Sequence, residues 1–294
     1  MKQTMLGAIC LSLAASIWGG MYVVSKYVLD FIPPLTLVWL RFIIAFVVLY
    51  GILKLAEKKQ KKKVTIRKKD WLLFAWIGFI GYFISITCQF IGTKLSDAHT
   101  GSLVTSATPA FMVIFAALIL KEKLTARRLL STIIATIGVI IVIGWDIEIG
   151  SYFIGTIILV GAAITWALLS IYVKIASIQF SSLVITTYAI FFSLFFITPF
   201  MIWELQTSSI GTVNTYVILG VLYLGIVSTA GAFFLWNKGL ELIDASIGSL
   251  FFFFQPIVGS LLGWLLLNET LNSNFFIGGI LIICSVLITT FEKK

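Results

Sequence analysis

Residues 97–122 open Asp97-Ala98-His99-Thr100-Gly101-Ser102-Leu103, pass through Pro109 and close Leu120-Lys121-Glu122; residues 244–269 open Asp244-Ala245-Ser246-Ile247-Gly248-Ser249-Leu250, pass through Pro256 and close Leu267-Asn268-Glu269. Asp, Ala, Gly, Ser, Leu, Pro and Glu recur at one offset of 147 residues without a gap, and Gly78, Gly92, Leu95 and Leu124 recur as Gly225, Gly239, Leu242 and Leu271. Upstream, an offset of 148 aligns Gly7, Ala14-Ala15, Trp18 and Lys26 with Gly155, Ala162-Ala163, Trp166 and Lys174. Apolar sequence matches Leu and Ile by chance, but it does not so easily align Pro, Asp, Glu, Trp and Lys together. The chain therefore reads as an internal duplication, with halves 1–147 and 148–294.

Sixty per cent of residues are hydrophobic and eleven per cent charged, against about half and a quarter in soluble domains. A bilayer is the natural solvent, and backbone groups placed there must be satisfied internally, which predicts an all-α chain. A spanning helix needs about 20 mainly apolar residues. Such segments fall at 5–29, 35–55, 71–93, 98–120, 128–145, 152–174, 180–203, 213–237, 245–267 and 275–291. The reading is thus an all-α integral membrane protein of ten transmembrane helices, as two five-helix repeats. An odd number of crossings per repeat makes the second enter from the opposite side, an inverted-topology arrangement characteristic of secondary transporters, with the substrate near the midplane.

The net charge of +9 comes largely from a basic run between Lys54 and Lys69, in a break between apolar segments. This is the positive-inside bias, and it predicts no nucleic-acid partner. Counting outward from that loop puts both termini in the cytoplasm. Breaks at 146–151, 204–214 and 268–274 contain no Lys or Arg and face outside. The first segment runs into Trp18, Tyr22 and Lys26 without a small-residue cleavage site and reads as a retained helix. Cys10, Cys88 and Cys284 lie within apolar segments without metal-ligand spacing.

The run Ala14-Ala15-Ser16-Ile17-Trp18-Gly19-Gly20 followed by Lys26 resembles the first helix of EamA-type carriers of the drug/metabolite transporter superfamily, and Trp39-Leu40-Arg41-Phe42 resembles the second. Gly92 through Ser106-Ala107-Thr108-Pro109 to Leu120-Lys121-Glu122-Lys123-Leu124 is similar to the fourth, and Gln255-Pro256 through Gly263-Trp264 to Asn268-Glu269-Thr270-Leu271 to the ninth. The resemblance covers essentially the whole chain. It implies a ten-helix inverted-repeat carrier of small metabolites, often an exporter of amino acids or related compounds; ten helices suffice for a complete transport unit, so a monomer is expected. It also implies a cavity lined by segments one, three, four, six, eight and nine, and the expected location is a bacterial inner membrane.

No phosphate-binding loop, HExxH or His/Cys/Asp/Glu cluster is present in the sequence, so neither catalytic residues, metal nor cofactor is expected. A gradient, or facilitated diffusion, then drives transport. No Asp or Glu is read deep in a segment, which argues against a proton antiporter built on a central Glu. Candidate substrate residues are Trp18 and Trp166, repeat partners at mid-segment, and the amides Gln89, Asn237 and Gln255. Core packing and helix–helix hydrogen bonding stand beside those roles. Tyr22, Tyr188 and Ser102 add hydroxyls. Arg41 lies about two turns inside its segment, where it either snorkels outward or faces a wet cavity and receives a carboxylate. His99, the only histidine, is a polar helix start or a proton sensor. Pro109 and Pro256 should kink their helices, as packing features or hinges. Glu122 and Glu269 read as helix-end ties or gate latches. The rival functions are a flippase for a lipid-linked sugar and an intramembrane transferase.

Overall fold

The structure is a computed structural model that describes residues 2–60, 65–96, 98–143, 150–267 and 273–290. Among them every regular element is helical. Six continuous helices are long and apolar enough to cross a membrane: α1 (Lys2–Leu29), α2 (Pro34–Gln60), α3 (Lys68–Leu95), α6 (Ser151–Ala176), α7 (Ser182–Thr207) and α8 (Thr215–Leu242). The shortest has 26 residues, or about 39 Å at 1.5 Å per residue. Between and after them come α4, in two pieces (Ala98–Thr105 and Thr108–Ile119), and α5 (Ala126–Ile143). The last two are α9 and α10 (Ser273–Thr290). Helix α9 begins at Ala245–Ser249, tightens to a 3-10 turn at Leu250–Phe253 and continues as Phe254–Leu267.

The irregularities follow from sequence. Proline has no N–H, and its ring collides with the carbonyl four residues back. For Pro109 that carbonyl belongs to Thr105, the last residue of the first piece of α4, and the Thr108 hydroxyl donates to it instead at 2.6 Å. Pro256 lies in the first turn after the 3-10 stretch of α9. Both interruptions thus fall just before a proline, at matched places in the repeats.

Element boundaries carry the same offsets as the residues. Helices α3 and α8 start at Lys68 and Thr215 and end at Leu95 and Leu242; α4 is described from Ala98 and α9 starts at Ala245. All are 147 apart, while α2 and α7 start 148 apart, at Pro34 and Ser182. Helices α3 and α8 also share a widened π-helical stretch, at Gly78–Ser85 and Tyr223–Gly231.

Packing runs between the halves. Helix α1 lies against α8 and α9, α6 against α3 and α4, α2 against α7, and α5 against α10. Glycines set the closest approaches. A Cβ on Gly239 would lie 3.1 Å from the Gly7 carbonyl oxygen, and one on its counterpart Gly92 would lie 2.9 Å from the Gly155 oxygen. One buried cluster runs through both halves, so the duplication shares a single core.

The structure corrects the reading of residue 204 as the start of a loop. Helix α7 continues to Thr207, and Glu204 is buried, accepting from the Leu35 and Thr36 N–H groups at 3.1 and 2.7 Å and from the Thr36 hydroxyl at 2.8 Å. It therefore caps the N-terminus of α2, where orphan donors and the helix dipole favour a carboxylate. Lys26 donates to the Ser96 carbonyl at the end of α3, at 3.0 Å. Its repeat partner Lys174 donates to the Leu240 and Ile243 carbonyls at the end of α8, both at 2.7 Å.

Candidate functional site

The small-residue run in α1 builds the centre of the molecule. A Cβ on Gly19 would lie 2.6 Å from the Gln255 carbonyl oxygen and 2.8 Å from the Gly259 nitrogen, so only glycine lets α9 come this close. That contact places Trp18 beside Phe252 of α9, with ring centroids 5.6 Å apart. Trp18 also meets Trp166 of α6 edge-on at 5.2 Å and 84°, Phe233 at 5.9 Å and Trp236 at 5.4 Å. Edge and tilted contacts of this kind suit the ring quadrupoles. The two repeat-related tryptophans therefore touch.

Around them a void is lined by Trp18 and Met21 of α1, Ser85, Ile86 and Gln89 of α3, and Thr105 and Thr108 of α4. Ala162 and Trp166 of α6, Phe233 of α8, and Phe252 and Gln255 of α9 complete it. These are the six segments that the resemblance implies. The free space is about 10 Å³, room for roughly one water. The site is closed.

One side of the void is a hydrogen-bond chain. Gln89 Nε2 donates to the Tyr22 hydroxyl at 2.5 Å, which meets Thr105 Oγ1 at 2.8 Å. Thr105 spends its proton on the Gly101 carbonyl at 2.7 Å, so Tyr22 donates to it. Gln255 Nε2 donates to Thr105 Oγ1 at 2.8 Å and to the Ser102 carbonyl at 2.9 Å. Trp18 Nε1 donates to the Ser228 carbonyl at 3.0 Å. Among the described residues, two buried groups in the lining have no protein partner: the Trp166 indole N–H, a donor, and Gln89 Oε1, an acceptor. Buried polar atoms are usually paired, so each such vacancy asks for a reason.

Arg41 is fully buried. Its Nε donates to Thr229 Oγ1 at 2.7 Å, and its terminal nitrogens reach Met21 Sδ at 3.6 Å and Ser228 Oγ at 3.4 Å. Phe90 and Phe233 present ring faces 4.9 and 5.8 Å from the guanidinium carbon. The side chain points inward and does not snorkel.

The other candidates are dispersed. Ser102 contributes its carbonyl to the Gln255 amide. Asn237 is buried outside the lining, donating to Tyr82 Oη at 3.0 Å and Thr186 Oγ1 at 2.7 Å. Tyr188 packs on Trp71 and Phe74, at 5.0 and 5.8 Å, away from the void. Glu122 accepts from the Ala245 and Ser246 N–H groups at 3.0 and 3.3 Å and from the Ser246 hydroxyl at 2.6 Å, capping α9 from the other half. Arg128 stands 3.5 Å from it. Pro109 and Pro256 lie near the interruptions of α4 and α9. The His99 side chain and Glu269 are outside the described residues. Thr105, Phe233 and Phe252 were not singled out from sequence. Thr105 stands one turn on from Gly101 and Ser102, a spacing that would have pointed to it, whereas the two phenylalanines lie in long apolar runs that mark no face.

The family model described as "EamA-like transporter family" matches twice, at residues 5–144 and 153–291. "Uncharacterized transporter YetK" of Bacillus subtilis is 28% identical over 100% of this chain and 89% of its own length. The "Probable amino-acid metabolite efflux pump" of Escherichia coli is 26% identical over 96% and 94%. A protein of known crystal structure shares the fold, with a TM-score of 0.77 at 20% identity over 97% of this chain and 96% of that one.

Proposed function

The chain belongs to the EamA-like transporter family, and we propose that it is a secondary carrier exporting small metabolites, amino acids or their derivatives, by alternating access. In this reading α1 to α10 all cross the membrane, the repeats run in opposite senses, and both termini face the cytoplasm of a bacterial inner membrane. The observation that carries it is the closed void where six helices of both halves meet, lined by Trp18, Trp166, Gln89 and Gln255. An apolar pocket with a few convergent polar groups is the usual form of a small-molecule site. The leftover indole donor and amide acceptor suit a solute with both an acceptor and a donor. The interruptions before Pro109 and Pro256 supply hinges, and Glu122, which caps α9, latches one end. One chain forms the complete transport unit.

The test is uptake of labelled amino acids and small metabolites into proteoliposomes, with and without an imposed pH gradient. Saturable uptake is expected for wild type, with at least a tenfold loss in Trp18→Ala and Gln255→Ala variants that keep a monodisperse, helical fold. Absence of uptake for every solute by correctly reconstituted protein would turn the reading toward lipid flipping.

A further inference from the structure

Arg41 is a cation in the apolar core with only neutral partners among the described residues. Its three hydrogen-bonding contacts are a threonine hydroxyl at 2.7 Å, a serine hydroxyl at 3.4 Å and a thioether at 3.6 Å, the last a weak acceptor. Among the described residues the ion pairs join Lys54–Glu57, Arg67–Asp70, Arg128 with Glu122 and Asp244, and Lys238–Glu241; none includes Arg41. A buried charge without a counter-charge is destabilising, and the fold gains no ion pair in return.

The repeat shows that packing does not require the charge. At the offset of 148 the partner of Arg41 is Ala189, on α7. There α3 closes onto α7 directly, with the Ala189 carbonyl oxygen 2.4 Å from where a Gly78 Cβ would stand. The same contact surface is thus built once with alanine and once with arginine. Position supplies the rest. Met21 and Phe233 both touch the guanidinium and both line the void, so Arg41 stands one side chain behind the cavity wall. Methionine is the most adaptable apolar side chain for a wall that must part.

We propose that Arg41 is the anion subsite of this carrier, held on Ser228 and Thr229 while the cavity is closed and turned to a carboxylate of the transported solute when it opens. The inference rests on the carrier reading and narrows its substrates to acids and zwitterions, excluding amines and neutral amides. A planar guanidinium fork matches a carboxylate in two parallel hydrogen bonds, which hydroxyl and thioether cannot offer.

The test is thermal unfolding of the purified full-length protein with L-phenylalanine and phenylacetate, each beside its carboxamide, and with sulfate and phosphatidylglycerol as other anions. The acids are expected to raise the wild-type midpoint by a few degrees and the amides not at all, since a ligand stabilises only the state that binds it. Arg41→Gln should melt no lower than wild type without ligand and should lose the response to acids; Arg41→Lys should keep a weaker one. A lowered Arg41→Gln midpoint, equal shifts from acids and amides, or no shift from any probe would overturn the proposal and leave Arg41 a brace between α2 and α8. A response to sulfate or phosphatidylglycerol as large as that to the acids would overturn the solute carboxylate as its ligand. Proteoliposome counterflow separates the two readings. Acid-specific shifts without transport would remove the carrier and leave the anion subsite. Transport of amides as fast as acids would remove the subsite and leave the carrier.

Discussion

Helices α3 and α8 carry overlapping widened stretches at repeat-related places, yet their surroundings differ. In α3 Gly78 presses on the backbone of α7, and Gly81 leaves space that Leu169 fills, a Cβ there meeting that side chain at 1.8 Å. In α8 the positions that match Gly81 and Tyr82 are Ser228 and Thr229, which hold Arg41 and, through the Ser228 carbonyl, the Trp18 indole. The tryptophans diverge accordingly: Trp18 spends its N–H on the π-helical stretch, while Trp166 keeps its own unspent. A duplicated scaffold thus holds a buried cation on one widened stretch and a neutral amide bond on the other.

The largest effect should come from the glycines of the α3 stretch. Gly78→Ala drives a methyl against the Ala189 carbonyl, a backbone atom that cannot step aside. Such overpacking costs about 3 kcal/mol, and SDS-induced unfolding with size-exclusion profiles should show it. Gly225→Ala meets Ile44 Cβ and Cγ2, both at 2.7 Å. A side chain yields more readily, so its cost should be smaller, about 1 kcal/mol. Equal losses would mean that the two contacts are not used differently. In the polar stretch, Thr229→Val removes the nearest acceptor of Arg41 and should cost about 2 kcal/mol, as for a hydrogen bond to a charged group. The repeat partner Tyr82 makes only neutral bonds, with Asn237 and Thr186, so Tyr82→Phe should cost about 1 kcal/mol in the same assay. A reversed order would show that the charge at Arg41 does not set the stability of this region.

Much of the fold was legible because its signals are local or repeated. Pro109 and Pro256 mark the interruptions, and the recurring Gly92/Gly239 and Lys26/Lys174 fix the pairing of the halves. The widened stretches were not legible, since a slipped hydrogen-bond ladder leaves no compositional mark. Glu204 read as loop because a carboxylate near the end of an apolar run is expected in water, and its burial depends on the start of α2 arriving beside it. The site was half visible. Trp18, Trp166, Gln89 and Gln255 stand out as aromatic or polar residues at mid-segment, whereas Phe233 and Phe252 are indistinguishable from their apolar neighbours until α8 and α9 meet α1. Asn237, an equally conspicuous amide, faces Tyr82 and Thr186 instead, since the direction of a side chain depends on helix rotation.

Alternating access is tested most directly at Thr105, which lines the closed void. With Cys10, Cys88 and Cys284, which form no disulfide, replaced by alanine, Thr105→Cys would be challenged with an impermeant thiol reagent from either face of oriented vesicles. The account predicts slow labelling from both faces, with transported solute protecting the thiol. Labelling from one face alone under every condition, or none from either, would contradict it.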